Sequence, residues 1–298
     1  MNADGTELRA LTTDGHSHSP SWSSDGRHVL YLHDTFWPSS LPKRDVRIGD
    51  EQWLSPLFTE LYVMDSDGGD AHLLRQFGGP VGQAAWSPDG KTLAVSCRYT
   101  KAGLCTANGP FVGFFLIPMF GQGEVGPVAI PVTNATWSPD GGKLAFSVYV
   151  FGAGFAIGVG DADGSHRIQL TDPHHLRNAL SPAWSPDGRQ IAFGADAGSN
   201  NRQQIFVMRA DGSDIRQLTT DPNWECGQPT WSPDGTEIAF SCRPKAADCP
   251  AGGGGGVVRN GIWACVRRIF VMSLVDPDAK PIQITQHDGA NPVFAPVP

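Results

Sequence analysis

A six-bladed, all-β propeller with four-stranded antiparallel blades is what this sequence predicts. Three observations carry that expectation: a pentapeptide present five times, an apolar strand after each copy, and a nearly constant repeat length. The copies are Trp22-Ser23-Ser24-Asp25-Gly26, Trp86-Ser87-Pro88-Asp89-Gly90, Trp137-Ser138-Pro139-Asp140-Gly141, Trp184-Ser185-Pro186-Asp187-Gly188 and Trp231-Ser232-Pro233-Asp234-Gly235. In each, a bulky aromatic closes an extended segment, Pro (Ser in the first copy) precedes an Asp able to bond the backbone ahead of it, and Gly supplies positive φ. A strand therefore runs into a tight turn. The strand that follows reads His28-Val29-Leu30-Tyr31, Thr92-Leu93-Ala94-Val95, Lys143-Leu144-Ala145-Phe146, Gln190-Ile191-Ala192-Phe193 and Glu237-Ile238-Ala239-Phe240, the alternating apolar pattern of a half-buried strand. Trp137, Trp184 and Trp231 are each 47 residues apart, close to the roughly 40 to 50 of one propeller blade.

A second phrase completes the unit. Leu61-Tyr62-Val63-Met64, Ile205-Phe206-Val207-Met208 and Ile269-Phe270-Val271-Met272 read as strands, with Asp67-Gly68 and Asp211-Gly212 turning the first two into a further strand. That last strand is Ile215-Arg216-Gln217-Leu218-Thr219, echoed by Arg167-Ile168-Gln169-Leu170-Thr171. Four strands, here a (ending at the Trp), b, c and d, thus follow one another in each blade. The repeated Trp and Asp residues are read as packing and turn residues, because recurrence at one blade position is what packing between blades requires.

The blade count rests on the termini. Asn291-Pro292-Val293-Phe294-Ala295-Pro296 resembles Pro229-Thr230-Trp231-Ser232-Pro233, and Met1 to Thr12 aligns with Met208 to Thr219. The expectation is one domain over 1–298, with a sixth blade shared by 1–19 and 290–298 and the others at about 20–78, 79–133, 134–171, 172–220 and 221–289. Its b strand and most of its c strand would be missing, about five to six residues each, so the chain reads as truncated upstream of Met1.

Trp-Ser-Pro-Asp-Gly followed by Ile-Ala-Phe and then by Ile-Phe-Val-Met-x-Ala-Asp-Gly resembles the WD40-like repeats of the TolB-type propellers, over nearly the whole chain. The resemblance implies the fold strongly and the function weakly. Related blades occur in periplasmic TolB, in the propellers of prolyl-oligopeptidase-like enzymes and in oligogalacturonate lyases, so function must be argued from the site.

Composition narrows the classes. With 298 residues, 40% hydrophobic and 17% charged, the chain is large enough for a sizeable core, and 36 Gly with 24 Pro suit a turn-dense fold. No apolar run approaches the roughly 18 to 20 residues of a membrane span. A formal charge of −8 lacks the basic patch nucleic acid requires, and Arg259, Arg267 and Arg268 read as a solvated loop. No Gly-x-Ser-x-Gly elbow points to a hydrolase. Six cysteines allow fifteen pairings; loop topology favours Cys97 with Cys105, Cys242 with Cys249, and Cys226 with Cys265. That reading places the protein in the periplasm or outside the cell, with free buried thiols as the alternative; no Cys-x-x-Cys spacing favours zinc.

The order a, b, c, d also sorts the loops. Trp-Ser-Pro-Asp-Gly and Asp-Gly turns share one face and are short; the b-to-c and d-to-a loops share the other and vary. Two b-to-c insertions stand out: Asp34 to Glu60, with Phe36, Trp37, Lys43, Arg44, Arg47, Trp53 and Phe58, and Arg243 to Arg268, with the Gly252 to Gly256 run and Trp263. Aromatics and arginines on variable loops suit a protein partner, or form a lid that packs on the scaffold itself; the glycine run reads as a linker. His16 and His18, His174 and His175, and His287 fall in d-to-a loops, as solvated residues, structural hydrogen-bond partners or metal ligands. Oligogalacturonate lyases use a His-coordinated metal at such a place. The expectation is a non-enzymatic scaffold that binds a protein or peptide in the cell envelope through Phe36, Trp37, Arg44, Arg47, Trp53 and Trp263, with no cofactor; the alternative is a metal-dependent carbohydrate-active enzyme using His16, His18, His174 and His175.

Overall fold

Local turn chemistry, repeated five times, organises the chain, as a computed structural model shows. It describes residues 10–13, 16–35, 58–77, 81–97, 104–106, 109–110, 114–118, 125–128, 132–197, 202–244, 256–259, 262–265, 267–276 and 278–285. In blade 1, Ser23 Oγ donates to Asp25 Oδ1 (2.6 Å) and accepts from the His28 amide (3.0 Å), while Asp25 Oδ1 accepts from the Arg27 amide (3.0 Å). Gly26 takes φ 68° and its amide returns to Ser23 O. The same lock forms at Ser87/Asp89, Ser138/Asp140, Ser185/Asp187 and Ser232/Asp234. Serine is therefore as necessary to this turn as the Asp and Gly, and the lock forms in blade 1 with Ser24 in place of Pro.

Each turn joins strands a and b of one sheet. Blade 1 comprises β1 (Ser17–Trp22), β2 (His28–Thr35), β3 (Phe58–Asp65) and β4 (His72–Phe77). Blade 2 follows with β5 (Val81–Trp86) and β6 (Thr92–Cys97), a small separate pair β7 (Leu104–Thr106) and β8 (Gly109–Pro110), then β9 (Phe114–Pro118) and β10 (Val125–Val128). Blade 3 is β11 (Val132–Trp137), β12 (Lys143–Val150), β13 (Gly154–Asp161) and β14 (Ile168–Gln169). Blade 4 is β15 (Arg177–Trp184), β16 (Gln190–Ala197), β17 (Arg202–Arg209) and β18 (Arg216–Gln217). Blade 5 contains β19 (Trp224–Trp231) and β20 (Glu237–Pro244), an inserted hairpin β21 (Gly256–Arg259) and β22 (Ile262–Cys265), then β23 (Arg268–Ser273) and β24 (Ile282–Gln283).

The blades number five, not six: five four-stranded antiparallel sheets form among the described residues, one per Trp pentapeptide. The terminal segments expected to share a sixth blade echo only strands a and d, the two outer strands. An outer strand needs the ladder of a central neighbour to fold against, and neither segment carries a b-strand phrase. Residues 1–9 and 286–298 lie outside the described residues.

The chain divides into two compact units, with residues 10–135 in one and 136–297 in the other. In the first, Leu30, Leu32 and Leu61 of blade 1 pack on Val81, Leu93 and Val95 of blade 2. In the second, Ile157 and Val159 of blade 3 meet Ile191, Phe193 and Phe206 of blade 4, and Ile205 and Val207 on the opposite side of blade 4 meet Trp231, Ile238 and Phe240 of blade 5. Strand b is thus buried on both faces rather than one: Ile191, Ala192 and Phe193 are all fully enclosed. The repeated Gln-x-Thr of strand d also has a role. Thr171, Thr219 and Thr285 are buried, and their hydroxyls accept from the amides of Ile157, Ile205 and Ile269, closing strand c where the ladder to the two-residue strand d stops.

Strand a carries a bulge that its residue types do not announce. Ser19, Asn134, Ser181 and Gln228, each three residues before the Trp, have φ of 52°, 55°, 55° and 58°. Left-handed backbone in non-glycine residues is uncommon, and its recurrence at one blade position ties it to the fold.

The turn carboxylates make the fold acid-sensitive. Hydrogen bonds from the serine hydroxyl and then from the backbone amide hold Asp25, Asp89, Asp140 and Asp187 below the usual 3.8, and Asp234 falls to about 2. A folded-state pKa below the unfolded one contributes stability above the unfolded value, and that contribution is lost as pH falls through the folded value. Melting temperature should therefore drop between about pH 4 and about pH 2, and Asp234→Asn should be less stable at neutral pH with a shallower acid dependence. Parallel pH profiles for the two proteins would refute the assignment.

Candidate functional site

The b-to-c end of blade 1 combines a 22-residue insertion with a buried polar base. β2 and β3 pair without interruption from His28↔Asp65 to Thr35↔Phe58, so residues 36–57 leave from the last rung of a regular ladder. Phe36, Trp37, Lys43, Arg44, Arg47 and Trp53 lie outside the described residues. One rung before the end of the ladder, Asp34 and Thr59 are paired and buried. Asp34 Oδ1 accepts from the Thr59 hydroxyl at 2.8 Å, and Thr59 Oγ1 accepts from the Val81 amide of blade 2 at 3.1 Å. Asp34 Oδ2 lies 3.3 Å from His18 Nε2, an ion-pair distance without hydrogen-bond alignment. Ser19 Oγ gives its proton to Gly82 O at 3.1 Å and so offers a lone pair to His18 Nδ1 at 3.0 Å. The insertion therefore rises from a network that fastens blade 1 to blade 2.

The other side of the same strands is aromatic. Tyr31 and Tyr62 stack at 5.4 Å, His33 meets Tyr62 edge-on at 6.2 Å, and His16 meets His33 edge-on at 6.2 Å. Tyr62 donates to Glu60 Oε2 at 3.3 Å, and Gln76 donates to Glu60 Oε1 at 3.2 Å. Burial, then the Glu60 charge, push the Tyr62 phenol above its ordinary range. Sequence reasoning singled out His16 and His18 but missed His33, Asp34 and Tyr62 as their partners. The available signal was the period of two that sets Tyr31 and His33 on one face of β2 and Asp34 on the other.

His174 and His175 belong to the second compact unit, on the exposed turn before β15. Asp172 organises that turn: its Oδ1 accepts from the His174 amide at 2.9 Å, and its Oδ2 lies 2.7 Å from His175 Nδ1. Those two contacts, the amide first, keep the Asp172 carboxyl below its usual range. Among the described residues no three His, Cys, Asp or Glu side chains are grouped to hold a metal ion; His287 lies outside them.

The corresponding end of blade 5 corrects two expectations. Cys226 is bonded to Cys242, not to Cys265, and Cys242 is therefore not joined to Cys249. The two cysteines are directly opposed in the β19/β20 ladder with Cα atoms 4.1 Å apart, whereas sorting cysteines by loop face overlooks register across adjacent strands. The side chains of Cys97, Cys105 and Cys265, and all of Cys249, lie outside the described residues. Arg267 and Arg268 are likewise no solvated loop. Arg268 opens β23 with its guanidinium over the Trp224 ring at 5.5 Å, and Arg267 donates to Ser241 Oγ at 3.2 Å. Beside them Arg243 forks onto Glu225, with nitrogen–oxygen distances of 2.7, 2.8 and 3.1 Å. Trp263 belongs to β22, opposite Val258, and its side chain lies outside the described residues.

Comparison with known proteins agrees with this architecture. The TolB beta propeller domain family matches residues 57–248, and the chain belongs to that family. The Tol-Pal system protein TolB of Anaeromyxobacter dehalogenans is 35% identical over 89 residues, a stretch that spans 30% of this chain and only 19% of that protein. Among solved structures, a TolB from Agrobacterium tumefaciens superposes with a TM-score of 0.67 at 20% identity over 97% of this chain and 89% of that one. TolB from Acinetobacter baumannii gives 0.66 at 17% identity, over 99% and 61%. At such identities the structures speak for the fold alone. Among the described residues no helix is long and apolar enough to cross a membrane.

Proposed function

We propose that this chain is a non-enzymatic, TolB-like scaffold that binds a protein or peptide in the cell envelope through the b-to-c face, with the blade 1 insertion as its main contact. The observation that carries the reading is the base of that insertion. A 22-residue segment, 36–57, carrying Phe36, Trp37, Arg44, Arg47 and Trp53, leaves a continuous hairpin one rung beyond the buried Asp34–Thr59 pair. A rigid base reduces the ordering cost of binding, and Trp and Arg are the usual anchors of interfaces. The Cys226–Cys242 bond supports export, because structural disulfides persist in oxidising compartments.

Replacing 36–57 by Asn-Gly, or making Trp37→Ala with Trp53→Ala, should abolish or strongly weaken capture of a partner from envelope extract while leaving the melting temperature nearly unchanged. Undiminished capture would sink the proposal. Mn²⁺, Zn²⁺ and Ni²⁺ provide the opposing arm. Stabilisation of about 2.7 kcal/mol at a hundredfold excess over Kd, lost on His16→Ala and His18→Ala and accompanied by turnover of an acidic oligosaccharide, would favour the enzymatic alternative instead.

A further inference from the structure

Blade 4 departs from the repeat at the end that carries its turns. Where strand b begins opposite the end of strand c, blades 1 and 3 set a cation against a carboxylate: His28 faces Asp65 at 3.8 Å, and Lys143 faces Asp161 at 3.1 Å. Blade 5 sets Glu237 opposite Ser273, and blade 2 sets Thr92 opposite Pro118. Only blade 4 ends strand c on a cation, Arg209, opposite the neutral Gln190. On strand d, the residue paired with the repeated valine of strand c is His72 in blade 1, Ile168 in blade 3 and Ile282 in blade 5, but Arg216 in blade 4. The fold needs neither arginine, since the other blades form without them.

The two departures meet. Arg209 lies two positions beyond Val207 on strand c, and Arg216 is paired with Val207, so the period of two sets both on one face of the sheet. With Arg189 of the a-to-b turn they line a depression of about 690 Å³, together with Gln190, Asp211 and Asp214. Arg189 Nε lies 4.0 Å from Asp187 and Arg209 Nε 3.6 Å from Asp214, both beyond hydrogen-bond reach, and Arg216 has no ion pair among the described residues. Nearby carboxylates serve their own turns. Asp187 Oδ1 accepts from the Ser185 hydroxyl and the Arg189 amide, and Asp211 Oδ1 accepts from the amide and hydroxyl of Ser213 at 2.9 and 2.6 Å. In the lining itself three arginines stand with two carboxylates, Asp211 and Asp214, a local excess of positive charge in a chain of formal charge −8.

We infer that this depression on blade 4 binds an acidic segment of a protein, held by Arg189, Arg209 and Arg216 through carboxylates spaced along an extended backbone. Guanidinium groups with no hydrogen bond of their own suit carboxylates, which accept two parallel N–H bonds. Spacing selects the ligand. Arg189 adjoins β16, Arg209 ends β17 and Arg216 opens β18, so the three stand on successive strands about 10 Å from first to last. Alternate side chains of an extended peptide recur about every 7 Å on one side, which lets separate carboxylates meet separate guanidiniums. A single phosphate would instead require three cations to be drawn together against their mutual repulsion. An anionic lipid surface is disfavoured, because Asp211 and Asp214 share the lining and would be pressed against the headgroups. The site draws on the a-to-b and c-to-d turns of one blade and is independent of the blade 1 insertion.

The test follows the fluorescence anisotropy of a labelled acetyl-Glu-Thr-Glu-Thr-Glu peptide with the full chain at low ionic strength. Binding should appear, weaken as salt rises, and be lost with acetyl-Gln-Thr-Gln-Thr-Gln. Arg209→Gln combined with Arg216→Gln should bind the acidic peptide at least about tenfold more weakly. Arg177→Gln combined with Arg202→Gln, which removes the same charge elsewhere on blade 4, should bind it as wild type does. Arg209 and Arg216 are exposed, so their double variant should keep the wild-type melting temperature. No binding of the acidic peptide, equal loss in the two double variants, displacement by inorganic phosphate at peptide concentrations, or binding to phosphatidylglycerol vesicles in place of the peptide would each overturn the inference. Replacing 36–57 should leave peptide binding intact; if it removes binding while the Arg209 and Arg216 variant retains it, the peptide sits on the insertion, and this inference fails while the binding role proposed above stands.

Discussion

Trp231→Ala should lower the free energy of unfolding by about 3 to 5 kcal/mol, the range for deleting a large buried ring. Trp231 is 8% exposed and sits among Ile205 and Val207 of blade 4 and Ile238 and Phe240 of blade 5. Its indole N–H donates to Ala183 O of blade 4 at 3.0 Å. The repeat is not uniform in this respect, for the buried indole nitrogens of Trp86 and Trp184 have no hydrogen-bond partner among the described residues. Trp231→Phe should accordingly cost about 1 kcal/mol more than Trp184→Phe, the worth of one hydrogen bond. Urea unfolding of the three variants beside wild type checks both statements. Equal losses for the two phenylalanine variants would remove the hydrogen bond from the account, and a Trp231→Ala protein as stable as wild type would remove the packing role.

Reduction of the Cys226–Cys242 bond should destabilise the protein by about 3 kcal/mol, as expected for a loop of about this length. The bond closes a separation of 16 residues between buried side chains of two adjacent strands. Melting temperature should fall on adding reductant, and a Cys226→Ala, Cys242→Ala double variant should lose most of that response. A non-reducing peptide map of protein from an oxidising compartment should join the peptides carrying Cys226 and Cys242. Cys226 found linked to Cys265, or free thiols at both positions, would refute the pairing and weaken the case for export.

The sequence displayed the repeat because turn chemistry is local. Ser23, Asp25 and Gly26 act within six residues of one another, so the signal survives in one dimension, and it recurs unchanged at Ser232, Asp234 and Gly235. The echo of Ile215–Thr219 in Arg167–Thr171 is likewise local, but the task of its threonine is not: Thr219 caps the amide of Ile205, 14 residues away, a distance only pairing reveals. Positive φ at Ser19 and Gln228 left no trace, because neither residue type demands it.

By itself the sequence determined the all-β class and the turn that begins every b strand, since each follows from strand order and residues adjacent in the chain. Tertiary structure alone decided the rest. A blade count depends on whether two distant end segments find a central strand to pair with, and a disulfide depends on register, which sets Cys226 opposite Cys242 rather than beside Cys265. Whether an aromatic residue is core or surface depends on what covers it: Phe146 and Phe151 are five positions apart on one hairpin, one 3% exposed and the other 95%, because the first ring lies over Gly158 and Gly160 of the paired strand and the second stands on the turn.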